Sequence, residues 1–342
     1  MTAQPGRKGI RKGMLELPAR LGVTRLWRGF HPGGTLVLGM HGVLSETEAL
    51  PFNATGKFIT PGKLEEFLRR LSRLYTPLSL DEFVDAFVER RSLGNRFVLT
   101  FDDGYANVYT EAFPLLREMG IPFGVFVTTG MVGTGRVLWN DLLEFTIYST
   151  EKAVLPGGLL NGAVDLGTPS KKRQAIMDIK AALKRRRIEE AYGLVERICD
   201  ALGVNPAASE LRSAGFLTPK QIKEMARAGV GFGGHTVTHP ILSRETRDRV
   251  REEVTACKHD LESITGKEVR TFAYPNGQRG DFDAMVKDEV RNAGYSAAFT
   301  GIPGITYGGG DPFEIRRLLV DCRWTDEEFE TRASGILGVV RR

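Results

Sequence analysis

The sequence predicts an α/β fold, read as an incomplete (β/α) barrel of about seven parallel strands with a helical insertion after the third. Three observations carry this reading. Short apolar runs of strand length recur along the 342 residues. Amphipathic helical segments separate several of them, the alternation that sets parallel strands beneath covering helices. One interval, residues 130–215, is too long for an ordinary connection and has a helical pattern of its own. Alternation alone leaves an open sheet in play, but seven strands over this length fit an incomplete barrel better.

The expected strands are TLVLGM (35–40), FVLTF (97–101), FGVFVT (123–128), VGFGG (230–234), TFAY (271–274), SAAFT (296–300) and EIRRLLV (314–320). Among the helices, PGKLEEFLRRLSRLY opens on Pro61 and repeats apolar residues at three- and four-residue spacing. YANVYTEAFPLLREMG runs to a stop at Gly120. RETRDRVREEVTACKHDLESITG lines up Val250, Val254, Cys257 and Leu261 and stops at Gly266. Within the insertion, KKRQAIMDIKAALKRRRIEEAYGLVERICDALG is helical in pattern, and its KRRR run reads as a solvated face, with a grip on an acidic glycan as the alternative.

Composition is that of a globular chain, 42% hydrophobic and 26% charged. No apolar run approaches the roughly 18 residues of a membrane span, and the first 30 residues lack the apolar core of a secretory signal. The expected location is therefore cytoplasmic, including the inner membrane face. Cys199, Cys257 and Cys322 are odd in number and far apart, which predicts neither a disulfide framework nor a cysteine zinc site. The net charge is +5, but residues 1–30 alone carry seven Lys/Arg against Glu16, a local +6. The rest of the chain is close to neutral, which argues against a nucleic-acid partner. We read residues 1–30 as a basic, solvated and partly disordered arm before the main domain over 31–342. Its interleaved Leu, Trp and Phe leave peripheral contact with an anionic membrane as the alternative.

Chemistry in a (β/α) scaffold sits at the C-terminal ends of strands. His41 follows the first strand, Asp102 and Asp103 the second, and His235 and His239 the fourth. The two histidines are four apart, a spacing that brings two imidazoles to one ion, although Pro240 favours a strand-to-loop bend over a helix. A carboxylate would complete a His₂Asp set, which suits Zn²⁺ and also admits Co²⁺, Ni²⁺, Mn²⁺ or Fe²⁺. Each pair alone is a weak signal; the joint occurrence at strand ends is a stronger one.

TFDDGY, HTVTH and FAYPNG resemble the three central motifs of the polysaccharide deacetylases, the NodB-homology group of carbohydrate esterase family 4. The resemblance covers about 35–320 outside the insertion, with the motifs in family order. It implies a distorted (β/α)7 barrel and metal-dependent removal of acetyl groups from glycans. It also implies that Asp102 is the catalytic base, that Asp103, His235 and His239 hold a divalent metal, and that Tyr274, Pro275 and Asn276 form the substrate side with a backbone oxyanion donor near Asn276. The division of labour is physically sound. A carboxylate on the ion stays ionised, and its neighbour is left free to accept a proton.

Two departures from the family pattern need replacements. Ala273 stands where family members often have an arginine bracing the base, and Arg317 is the candidate substitute. No histidine follows His259, so the late histidine is missing. LVLGMHGV resembles the first strand of a subgroup that includes poly-N-acetylglucosamine deacetylases, which makes His41 the candidate general acid. Trp139, at the start of the insertion, is a candidate for stacking on a sugar ring, against the reading of a hydrophobic anchor. His259 is expected to face solvent and His31 to lie in a loop. The expected substrate is an N-acetylated sugar of a polysaccharide, oligosaccharide or glycan intermediate. A deformylase or amidase of a small or lipid-linked sugar, and a non-catalytic glycan binder, are the alternatives.

Overall fold

A computed structural model describes residues 6–30, 33–45, 53, 55–207 and 210–339; His31 lies outside them. Seven parallel strands form the barrel wall: β1 (Thr35–Met40), β2 (Arg96–Phe101), β3 (Phe123–Val127), β4 (Gly231–Gly234), β5 (Thr271–Ala273), β6 (Ala297–Phe299) and β7 (Leu318–Leu319). Their order across the sheet is β6-β5-β4-β3-β2-β1-β7. These are the seven expected strands. The last is shorter than its sequence pattern because the segment changes partner partway: Ile315 bridges to Phe299 of β6, whereas Leu318 and Leu319 pair with Leu38 and Gly39 of β1. That single segment spans the gap between β6 and β1, which is the distortion of the barrel. A short strand not foreseen, Thr76–Pro77, adds to β2 off the main path.

Apart from a last turn at Ile336–Val339, the α-helices are α1 (Gly6–Arg20), α2 (Val23–Phe30), α3 (Pro61–Leu71), α4 (Leu80–Val88), α5 (Phe113–Glu118), α6 (Trp139–Ser149), α7 (Pro169–Leu183), α8 (Ile188–Leu202), α9 (Pro219–Arg227), α10 (Arg247–Thr265), α11 (Ala284–Asn292) and α12 (Asp326–Ala333). α3 begins as its sequence dictates, with the Thr60 side chain capping Lys63 N–H and Pro61 in the first turn. α10 buries Val250, Val254, Cys257 and Leu261 and ends on left-handed Gly266. The segment read as one helix before Gly120 is continuous over 106–118 but holds a π turn. Pro114 has no N–H to donate, so Val108–Ala112 forms a π turn closed by Phe113 N–H on the Val108 carbonyl before α5 starts.

Between β3 and α9 the chain leaves the barrel through α6, a small hairpin (Val154–Leu155 with Val164–Asp165), α7 and α8. These elements close over a core of their own, with Leu143, Ile147, Ile176, Ile179, Leu194 and Ile198 at its centre. Over residues 6–30 the basic arm is helical rather than irregular, and α1 packs on α12. Thr24 Oγ1 donates to Glu330 at 2.6 Å, Thr325 Oγ1 donates to Glu16 at 2.9 Å, and the buried Arg28 reaches Asn95. Among the described residues no helix is long and apolar enough to cross a membrane.

α12 is anchored to the barrel by Phe329, fully buried and stacked on Phe67 of α3 with centroids 4.1 Å apart. Phe329→Ala should lower the unfolding free energy by about 3–5 kcal/mol, the usual cost of emptying such a site. Urea denaturation followed by circular dichroism measures it.

Candidate active site

Strand register sets the catalytic residues side by side. β1 and β2 pair level from Thr35↔Arg96 to Met40↔Phe101, and Asp102 N–H continues the ladder onto the Met40 carbonyl at 2.7 Å. His41 and Asp102 therefore leave the sheet together. β3 and β4 end level at Val127↔Gly234, and His235 N–H bonds the Val127 carbonyl at 3.0 Å.

The two adjacent carboxylates are separated by backbone conformation. Asp103 has φ +71°, followed by Gly104 at +87°. Aspartate is among the few side chains that tolerate this left-handed region, and the turn sends Asp102 and Asp103 to different partners. HTVTH likewise bends rather than coils, as Pro240 predicts. Thr236 and His239 are left-handed at +67° and +64°. The buried Glu253 of α10 pins the bend by accepting Val237 N–H at 2.7 Å and Thr238 N–H at 2.9 Å.

This brings Asp103 Oδ1 to 3.4 Å from His235 Nε2 and 3.2 Å from His239 Nε2. The three ligand atoms lie within 4.8 Å of one another. His235 Nδ1 is 2.7 Å from the Ala273 carbonyl. A carbonyl only accepts, so Nδ1 is assigned the proton and Nε2 turns its lone pair toward Asp103. Two imidazole nitrogens and a buried carboxylate oxygen aimed at one point repel unless a cation lies among them. Asp103 Oδ1 is also a buried acceptor with no hydrogen bond of normal geometry. The donor set thus fits a divalent cation. Burial lowers the pKa of His235, but the Asp103 and Asp102 carboxylates beside it raise it further, a measure of how strongly this point attracts positive charge. Asp103 itself is held well below the usual carboxylate range, because His239 and His235 outweigh its burial.

Asp102 points instead to Arg317. Nη1 and Nη2 donate to its two oxygens at 2.6 and 2.8 Å, a bidentate fork in which the guanidinium is only 1% exposed. Arg317 is fixed in turn by donating to the Thr300 carbonyl at 2.9 Å and Thr100 Oγ1 at 3.2 Å. Burial would raise the pKa of Asp102, but the Arg317 charge wins and the acid stays ionised. His41 is kept mostly neutral: burial lowers its pKa more than the two aspartates raise it. Its Nδ1 is a buried nitrogen with no hydrogen-bond partner.

His41, Asp102, Asp103, His235, His239 and Asn276 open onto one cavity of about 440 Å³. Not every expected substrate residue reaches it. Tyr274 is buried, with its ring stacked on Phe282 and its hydroxyl donating to the Phe313 carbonyl, and neither it nor the buried Pro275 lines the cavity. Strand alternation turns Tyr274 into the core, so of the YPN turn only Asn276, left-handed at φ +62°, faces the site. Trp139 does line the cavity, but it is 6% exposed and packs in the insertion core, mainly as an anchor. His259 is exposed on α10.

The insertion supplies one cavity wall. Lys184, from the KRRR run read as solvated, donates to Asn276 Oδ1 at 2.7 Å, and Arg186 lines the cavity. Lys180 is buried against Glu144. Sequence reading missed Lys57, which lies in the cavity wall and contacts Asp141 of α6. Tyr105 completes that group, accepting from Lys57 at 3.2 Å and donating to Asp141 Oδ2 at 2.6 Å. Burial draws Lys57 down to about 7, against the raising effect of Glu144 and Asp103. No spacing rule marks a lone lysine in a connection, whereas Tyr105 closes the TFDDGY motif.

The seven-stranded wall with a polar cluster at its C-terminal strand ends defines the class, a distorted (β/α) barrel with its candidate site at the strand ends. The sequence model of the polysaccharide deacetylase family matches residues 90–298, and the chain belongs to that family. It is 31% identical over 84 residues to the peptidoglycan-N-acetylmuramic acid deacetylase PdaA of Bacillus subtilis, a stretch that is 25% of this chain and 31% of that protein. The match thus spans about a third of that relative's length. Its fold is similar to that of IcaB from Ammonifex degensii, with a TM-score of 0.57 at 22% identity over 88% of this chain and 96% of that one. It is also similar to the Streptococcus pyogenes deacetylase PplD in complex with acetate, with a TM-score of 0.56 at 19% identity over 87% and 96%.

The Asp102–Arg317 pair makes a stability prediction. Arg317→Met strands a buried carboxylate and should cost about 3–5 kcal/mol. Adding Asp102→Asn should restore much of that loss. Urea midpoints of the two single variants and the double variant test the coupling; additive losses would show that the two residues do not act as a pair.

Proposed function

We propose that the protein is a metal-dependent deacetylase that hydrolyses the acetamide of N-acetylated sugars in a polysaccharide, oligosaccharide or glycan intermediate. The observation that carries this reading is the convergence of Asp103 Oδ1, His235 Nε2 and His239 Nε2 beside an ionised Asp102. Asp103, His235 and His239 would hold the cation, with Zn²⁺ favoured by the nitrogen and oxygen donors and Co²⁺, Ni²⁺, Mn²⁺ or Fe²⁺ as alternatives. When bound, the ion supplies Lewis acidity to water and to the acetamide carbonyl.

The remaining steps belong to the chain. Asp102 takes the proton of the attacking water, and Arg317 keeps it ionised and aimed for that task. A backbone N–H at the Asn276 turn is the candidate donor to the developing oxyanion. The C–N bond then breaks, releasing acetate and a free amine, and the amine needs a proton as it leaves. His41 leaves the sheet beside Asp102 and has an unpartnered ring nitrogen. Neutral at rest, it becomes the donor on taking up the proton that Asp102 removed.

The test is metal content by mass spectrometry together with acetate and formate release from N-acetylated oligosaccharides. The wild type should carry about one divalent ion per chain, by analogy with three-ligand catalytic sites, and should lose activity to a chelator and regain it with Zn²⁺ or Co²⁺. Asp102→Asn and His41→Ala should each lower kcat by about 10²–10⁴ while retaining the metal; His239→Ala should lose both metal and activity. Formate without acetate would move the assignment to a deformylase. No turnover after reconstitution with Zn²⁺, Co²⁺ or Ni²⁺ would defeat it.

A further inference from the structure

Helices α1 and α2 are built inside out. Toward the protein they present polar groups: Glu16 accepts from Thr325, the buried Thr24 donates to Glu330, and the buried Arg28 reaches Asn95. Toward solvent they present oil. Met14, Leu17 and Leu21 are 69%, 53% and 66% exposed; Val23, Leu26 and Phe30 are 37%, 65% and 81% exposed. Each trio has i, i+3, i+7 spacing, which forms one stripe along α2 and another along α1 into the turn at Leu21, whose N–H still bonds the Leu17 carbonyl. Of the ten exposed large apolar side chains among the described residues, six fall within residues 14–30. Scattered apolar residues on a surface need no explanation, but a concentration of this kind does.

Charge identifies what covers the stripes. Residues 1–30 hold seven Lys/Arg and one acid, whereas the rest of the chain is close to neutral. Arg20 and Arg25 are exposed beside the apolar residues, Arg20 also pairing with Glu16 at 2.6 Å. A second copy of the same face would set one strongly positive segment against another. A nucleic acid would meet the charge and leave the apolar stripes wet. An anionic bilayer satisfies both, because its headgroups meet the cations and its acyl boundary takes the Leu and Phe side chains. We propose that α1 and α2 form a membrane-docking face for an anionic lipid surface, with Leu17, Leu21, Leu26 and Phe30 inserting at the headgroup boundary. The catalytic cavity contributes no residue to it.

Co-sedimentation of the full chain with vesicles tests this, using phosphatidylcholine alone and phosphatidylcholine mixed with phosphatidylglycerol. The wild type should pellet with the anionic vesicles and much less with the neutral ones, and high salt should release it. Leu17→Ser/Leu26→Ser/Phe30→Ser should weaken binding to the anionic vesicles at least about tenfold, by loss of inserted apolar area. Arg25→Glu, a milder change at an exposed site, should weaken it independently of any effect on folding. Acetate release from a soluble oligosaccharide should be the same in wild type and triple variant, so a failure of docking is distinct from a failure of catalysis. Wild type that stays in the supernatant with anionic vesicles would overturn the proposal, as would a triple variant that pellets equally well. A wild-type dimer that the triple substitution turns into a monomer, without vesicle binding, would assign the face to self-association instead.

Discussion

The ion pair between Arg317 and Asp102 is the constraint on which both barrel and site depend. Arg317 lies on the segment that first bridges to β6 and then pairs with β1. Its guanidinium reaches the end of β6 through the Thr300 carbonyl and β2 through Thr100 and Asp102. A buried charge without its partner costs several kcal/mol, so the segment has little freedom to close elsewhere. Gly39 makes room for this closure: a Cβ there would sit 2.5 Å from Leu319 and 3.4 Å from Arg317 Nη1. The residue that completes the wall is thus the one that holds the candidate base ionised.

The opposite end of the dyad works by a different physical device. Asp102 is governed by a fixed countercharge, Asp103 by a backbone turn that aims it at two imidazoles. The sharp φ reversal between neighbours keeps two anions from competing for one environment. Glu253 on α10 and the Ala273 carbonyl on β5 then orient the histidine side of the cluster. Ligands and their supports therefore come from several strands and one covering helix, which keeps the geometry rigid.

Much of the fold and site was legible in the sequence because it depends on period and position. Apolar runs became strands, and His41, Asp102, Asp103, His235 and His239 stand just past the C-terminal ends of three of those runs. Arg317 was reachable because the motif lacked its usual arginine and a late strand carried a spare one. The hidden part depends on which way a side chain turns. Tyr274 sits in a motif yet packs inward on Phe282. Lys57 belongs to no pattern and acquires its role only when α6 folds Asp141 over it. The arm misled for a related reason: its charge suggested solvation, but charge content does not say that Thr24 and Arg28 would face the protein and Leu26 and Phe30 the solvent.

The insertion looks detachable, with its own core and a single entry and exit between β3 and α9. Its contacts at the barrel mouth say otherwise. α6 lends Asp141 to Lys57, and Lys184 ties the segment after α7 to Asn276 on the far lip. A chimera that exchanged this segment for another would have to bring a carboxylate for a barrel lysine or leave that lysine buried and uncompensated. Positions 57 and 141 are therefore one unit of the structure although they lie on opposite sides of the insertion boundary.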